Sequence, residues 1–162
     1  SRAEVGGSEY LRLVHGREHG QPPLIDLTEE RRVQELCIEA ISRGLVRSAH
    51  DLSEGGLAVC LAECALLSPS RPGCVVDLEA RMRPDVLLFG ESQSRILISV
   101  SEVRLRELLG LAEERKVKAS AIGRIRGKKI IIRQAGRETI HLPVDRLYKA
   151  WKNAIPRAVS IR

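Results

Sequence analysis

The chain has 162 residues, 43% of them hydrophobic, which suffices for one well-buried core and leaves little room for a second, so a single domain over 1–162 is expected. Lys and Arg (27) outnumber Asp and Glu (21) for a net charge of +6, yet Tyr10, Phe89, Tyr148 and Trp151 are thin provision for stacking bases, which favours a solvated basic surface over nucleic-acid binding. No apolar run approaches the roughly 18 to 20 residues of a membrane span and the amino terminus lacks the apolar core of a secretory signal, so a cytoplasmic protein with no membrane contact is expected.

The chain does not start with Met and Met82 is its one methionine, which sets the expectation of a piece of a longer gene product. The first segment, Gly6 to Gly16, reads as a short helix that Ser8 can cap and Gly16 can end. Gln21-Pro22-Pro23 forces an extended connection, and Asp26-Leu27-Thr28 opens a long helix. In it Val33, Leu36, Cys37, Ala40 and Ile41 recur at the spacing of one buried stripe, and Gly44 follows as a stop. A short strand over 45–49 leads through a turn at 51–56 into the apolar helix 57–67, whose Leu57, Val59, Leu61 and Leu66 should lie inside.

After the breakers Pro69, Pro72 and Gly73 come a strand over 74–78, a helical turn over 85–89, a polar loop over 90–95 and a strand over 96–100. Ser101 is placed to cap an amphipathic helix that reaches about Arg115 and turns Leu105, Leu108, Leu109 and Ala112 inward. Strands are expected over 117–125, 129–133 and 138–142, with turns at Arg126-Gly127 and Ala135-Gly136. A last helix starts near Pro143, with Trp151 and Ile155 docking the tail. The alternation of elements predicts an α/β fold, a mixed sheet of about four main strands with helices packed around it. Cys37, Cys60, Cys64 and Cys74 form no C-x-x-C pair and are expected to be reduced thiols with no metal or disulfide role.

Two loops carry the candidate chemistry. His50-Asp51-Leu52-Ser53-Glu54-Gly55-Gly56 joins a strand end to a helix start, where free N–H groups and paired glycines can admit a phosphate or carboxylate. The same residues also suit ordinary capping by Asp51 or Ser53, with the glycines relieving crowding, and both readings stay open. Gly90-Glu91-Ser92-Gln93-Ser94-Arg95 gathers a carboxylate, hydroxyls, an amide and a guanidinium that can hold a sugar phosphate, or it is a solvated strand-entry turn with a local Glu91–Arg95 pair. Neither loop sets a nucleophile beside a base, and adjacent strand residues such as His50 and Asp51 point to opposite faces, so no catalytic residue and no metal ligand are assigned.

The run from His50 to Glu63, together with Gly6-Gly7-Ser8, Leu88 to Arg95 and the tail Trp151 to Pro156, resembles the carboxy-terminal repeat of phosphoribosylformylglycinamidine synthase of the small multi-subunit type, its synthetase subunit II. The resemblance implies the carboxy-terminal half of a second repeat, with the fold of aminoimidazole ribonucleotide synthetase C-terminal domains, partly like a ferredoxin fold. It implies an ATP- and magnesium-using ligase that phosphorylates the amide oxygen of formylglycinamide ribonucleotide and lets ammonia displace phosphate. It also implies, as partners, the remaining domains of the chain, a glutaminase subunit and a small accessory subunit. For this half it implies a structural or auxiliary-nucleotide role, with Gly90, Glu91, Ser92, Gln93 and Arg95 as relics of a duplicated site and the isolated fragment inactive. Another superfamily member, such as a selenophosphate synthetase, thiamine-phosphate kinase or hydrogenase-maturation protein, is the alternative within the class. Outside it stands an independent anion-binding or partner-docking module.

Overall fold

A computed structural model describes residues 4–79 and 81–159. In order the elements are α1 (Glu9–His15), α2 (Leu27–Ser42), β1 (Val46–Asp51), α3 (Gly56–Leu67), β2 (Cys74–Leu78), α4 (Pro84–Phe89), β3 (Ile96–Val100), α5 (Glu102–Glu114), β4 (Gly123–Ile125), β5 (Lys129–Gln134), β6 (Arg137–Pro143), α6 (Val144–Lys152) and α7 (Ala154–Val159). They fall into two compact units, the first Ser1–Cys60 with Asp85–Ala121, the second Leu61–Pro84 with Ile122–Arg162.

In the first unit polar caps set the helix starts. Ser8 Oγ accepts the Leu11 N–H, and Gly16, left-handed at φ 62°, closes α1 as its sequence position suggests. Asp26 accepts from the N–H groups of Thr28 and Glu29 to open α2. Ser101 stands at the start of α5 in extended conformation but makes no side-chain cap bond. β1 and β3 pair antiparallel, Val46 opposite Val100 and Asp51 opposite Ile96. Leu36 and Ala40 of α2 meet Leu108, Leu111 and Ala112 of α5 and Leu45 in one core, with Val46, Ile98, Val100 and Val117 against it. Each buried Leu there contributes about 1.5 to 3 kcal/mol.

Three inward assignments change, those of Ile41, Leu105 and Leu109. Ile41 is 52% exposed, because at about 100° per residue it lies some 140° round the helix from Leu36, off the buried stripe. On α5 the structure buries Leu111 and leaves Leu105 and Leu109 half-buried, since the stripe facing α2 is centred on Leu108 and Leu111.

The second unit is built on a four-stranded mixed sheet of order β4-β2-β5-β6. β2 runs parallel to β5, with Cys74 opposite Ile130 and Leu78 opposite Gln134, and antiparallel to β4. β5 and β6 form a hairpin over Ala135 and Gly136, whose φ values of 47° and 77° suit a tight two-residue turn. Cys74, Val76, Leu78, Ile130 and Ile132 fill one face. The α/β class and the four-stranded mixed sheet of the sequence reading are present, beside the separate β1–β3 pair.

The strand expected over 117–125 shortens to three residues. Val117 packs into the first unit's core and residues 118–121 are exposed, so that stretch carries the chain onward instead of pairing. Trp151 and Ile155, expected to dock the tail, are 56% and 76% exposed. α6 is held instead by buried Val144 and by Tyr148, whose ring lies 4.0 Å under the Arg71 guanidinium. Burial, helped by the neighbouring Cys64 thiol, pushes the Cys74 thiol up to about 11. Among the described residues no helix is long and apolar enough to cross a membrane.

Candidate functional site

The antiparallel register that places Asp51 opposite Ile96 and His50 opposite Leu97 decides where the two loops go: both leave the same end of the β1–β3 ladder. Leu52 N–H donates to the Arg95 carbonyl at 3.0 Å, extending the ladder by one bond into both loops. The loops predicted 40 residues apart in sequence are therefore neighbours in the first unit.

Glycine makes their approach possible. Gly56, at φ 60°, opens α3, and a Cβ there would come within 2.5 Å of the Gly90 carbonyl oxygen and 3.0 Å of that of Leu88. Gly90 in turn has no room for a side chain, because its Cβ would meet the Val86 and Glu4 carbonyl oxygens at 2.5 and 2.8 Å. The start of α3 thus passes the 88–90 backbone at a distance that only glycine at position 56 permits, while Gly90 is confined separately by Val86 and Glu4.

The anion at the glycine-opened turn is supplied by the protein. Glu91 Oε1 accepts the Gly55 N–H at 2.8 Å and the Glu9 N–H at 3.0 Å, tying α1, the start of α3 and the second loop to one carboxylate. Charge-assisted bonds of this kind are about twice as strong as neutral ones. Tyr10 adds an apolar tie, its ring stacked on Phe89 with centroids 5.0 Å apart.

Arg95 is also turned inward. Its Nε donates to the Ser92 carbonyl at 2.8 Å and its Nη2 to the Gly90 carbonyl at 2.6 Å, so the guanidinium braces its own loop. Burial lowers its pKa, with nearby Cys60, Glu4 and Glu91 acting the other way, and the group stays charged at neutral pH. Ser92 is buried, Ser94 adopts a left-handed φ of 61°, and the exposed Gln93 amide donates back to the Glu91 carbonyl.

The remaining residues look outward. Ser53 and Glu54 are exposed, and the Asp51 carboxylate is 74% exposed. His50 Nδ1 lies 2.8 Å from the Asp51 carbonyl but 3.7 Å from its carboxylate, too far for a catalytic hydrogen bond. Of the eleven named positions, the structure therefore gathers Gly55, Gly56, Gly90, Glu91, Ser92 and Arg95 into one knot of hydrogen bonds and close backbone contacts. His50, Asp51, Ser53, Glu54 and Gln93 stay at its margin.

What the loop reading missed is α1. Gly7, Ser8, Glu9, Arg12, Glu18, His19 and Gly20 line a depression of about 260 Å3 beside the Glu91–Glu9 bond. Arg12 pairs with Glu9 and also feels Glu18 and Glu54. The signal was in Gly6-Gly7-Ser8, which reads as a helix entry when taken alone. Gly6 itself lies so close to the Gln21 backbone that a Cβ would collide with it. One buried side-chain oxygen among the described residues, Glu4 Oε1, lacks a hydrogen-bond donor.

Comparison with known proteins agrees with the motif-based resemblance. The chain is 47% identical over 153 residues to the phosphoribosylformylglycinamidine synthase subunit PurL of Moorella thermoacetica, covering 94% of this chain and 21% of that one. It is 43% identical over 155 residues to the PurL subunit of Thermoanaerobacter pseudethanolicus, covering 96% and 21%. The chain thus spans about a fifth of the length of these relatives. Its fold matches that of Thermotoga maritima PurL complexed with ATP, at TM-score 0.70 and 21% identity over 88% of this chain and 24% of that one. It also matches a chain of the Thermotoga maritima PurLQS structure at TM-score 0.71, with the same identity and coverage. Its residues 1–135 match the sequence profile described as AIR synthase related protein, C-terminal domain, and the chain belongs to that family.

Proposed function

We propose that the chain is the last domain of a phosphoribosylformylglycinamidine synthase, an ATP-dependent C–N ligase of purine biosynthesis in the cytoplasm. We propose further that its own part there is structural, or the wall of an auxiliary nucleotide site. The identity to PurL subunits along 94–96% of the chain supports the first statement. One observation carries the second: the Glu91 carboxylate and the Arg95 guanidinium are engaged by the protein's own backbone.

In this reading ATP, when bound to the whole enzyme, supplies the phosphoryl group that turns the substrate's amide oxygen into a leaving group. Solved PurL structures are described as complexes with ATP, ADP and AMPPCP, which supports nucleotide binding in the longer protein. Magnesium is proposed to enter the whole enzyme with the nucleotide, bridging its phosphates. What this chain's residues do is hold the two loops in register: Glu91 fixes Gly55 and Glu9, and Arg95 fixes the carbonyls of Gly90 and Ser92. His50, Asp51, Ser53, Glu54 and Gln93 stand at the margin of this knot. The remaining domains, a glutaminase subunit and a small accessory subunit are the proposed partners; that a solved Thermotoga maritima structure is described as PurLQS supports a multi-subunit assembly.

The test is a full-length enzyme carrying Glu91→Ala, assayed with formylglycinamide ribonucleotide, ATP, magnesium and ammonia. A structural role predicts a lower melting temperature with kcat of the folded enzyme within about twofold of the parent. A loss of about a hundredfold in kcat with unchanged melting would place Glu91 in the chemistry instead. Turnover by the 162-residue chain alone would also overturn the reading.

A further inference from the structure

The sheet of the second unit has one buried face and one open face. Along β5, Ile130 and Ile132 lie inward, whereas Lys129, Ile131 and Arg133 point the other way. Strand register adds Val75 opposite Ile131, Asp77 opposite Arg133 and Arg124 opposite Val75 to the open face. There a cleft of about 340 Å3 contains the half-buried Val75 and Ile131, with Arg126, Lys128, Lys129 and Arg133 around them. Lys128 is turned toward the Ser70 carbonyl at 2.6 Å, and Arg133 stands 3.5 Å from Asp77. Arg126 and Lys129 are exposed.

We infer that this open sheet face docks a partner protein through an extended acidic segment that carries an apolar side chain between its carboxylates. The inference is independent of the purine-ligase reading. Same-face residues of a strand are about 6.6 Å apart, so Lys129, Ile131 and Arg133 present cation, apolar surface and cation over about 13 Å. An extended peptide with acid, apolar and acid residues at i, i+2 and i+4 has the same spacing, and it meets the charge and the apolar strip together. A nucleic acid matches less well: among the described residues none of these strands carries a Phe, Tyr or Trp on this face to stack a base, and a phosphate alone leaves Val75 and Ile131 unused.

The test is fluorescence anisotropy of the full 162-residue chain with a labelled peptide of Glu-Ser-Leu-Ser repeats. Saturable binding that weakens with salt is expected. The combined change Lys129→Glu and Arg133→Glu should weaken it at least about tenfold, and Ile131→Thr about threefold. Arg106→Glu, on the exposed side of α5, should leave it unchanged, which separates the patch from net charge. Circular dichroism melts establish that each variant is folded. No binding, equal binding of a peptide with its glutamates clustered at one end, or no effect of Ile131→Thr overturns the proposal. Tighter binding of an oligothymidylate overturns it in favour of nucleic acid.

Discussion

The Glu91 carboxylate accepts the Gly55 N–H at 2.8 Å across 36 positions of sequence, and the same oxygen accepts the N–H of Glu9. One side chain therefore seals the turn that opens α3. Truncating it leaves two N–H groups without their acceptor. Glu91→Ala is expected to cost about 3 kcal/mol by denaturant unfolding, and Glu91→Gln about 1 kcal/mol, because the amide oxygen can still accept. Equal losses in the two variants would mean that the carboxylate charge, not the acceptor, is what matters.

Gly56 and Gly110 make a matched pair of tests. Gly56 has φ 60° and faces the Gly90 carbonyl at 2.5 Å from an added Cβ, whereas Gly110 lies in α5 with nothing within 4 Å. Gly56→Ala should destabilise by more than about 2 kcal/mol through strain and collision. Gly110→Ala should stabilise by about 1 kcal/mol, the helix-propensity difference. Thermal melts of the two variants shifting in the same direction would contradict the assigned conformations.

Leu61 is 7% exposed in α3. Leu61→Asp puts a carboxylate where water does not reach and no partner awaits, and the variant is expected not to fold. A cooperative melt close to that of the parent would show that this side of the helix is open.

Glu39 of α2 accepts the Arg115 guanidinium at 2.8 Å and pairs with Arg43 as well. The Arg115 hydrogen bond is the main cause that holds its carboxyl below the usual carboxylate range. A depressed folded-state pKa gives stability that is present above the unfolded-state value and is lost as pH falls through the folded one. Arg115→Gln should therefore flatten the acid side of the stability curve and leave the neutral-to-alkaline side parallel to the parent. The pair is exposed, so the effect should shrink in high salt. Urea titrations from pH 7 down to the acid limit, at low and high salt, measure it.

Local chemistry made much of the fold readable in advance. Ser8, Gly16 and Asp26 mark helix ends because their capping groups act on atoms within a few residues, and the limits of β2 and β3 follow from short apolar runs between breakers. The stretch at 117–121 and the tail at Trp151 and Ile155 were not readable this way, since apolar character says that a side chain can be buried but not that a surface exists to cover it.

The candidate site divides along the same line. Sequence alone identified two polar, glycine-bearing turns and left two readings of each. The antiparallel register of β1 with β3 placed them together, and the rotamers of Glu91 and Arg95 turned their charges onto backbone N–H and carbonyl groups. Capping and periodicity are short-range and survive in any context, whereas the partner of a long charged side chain depends on which distant backbone the fold brings within 3 Å.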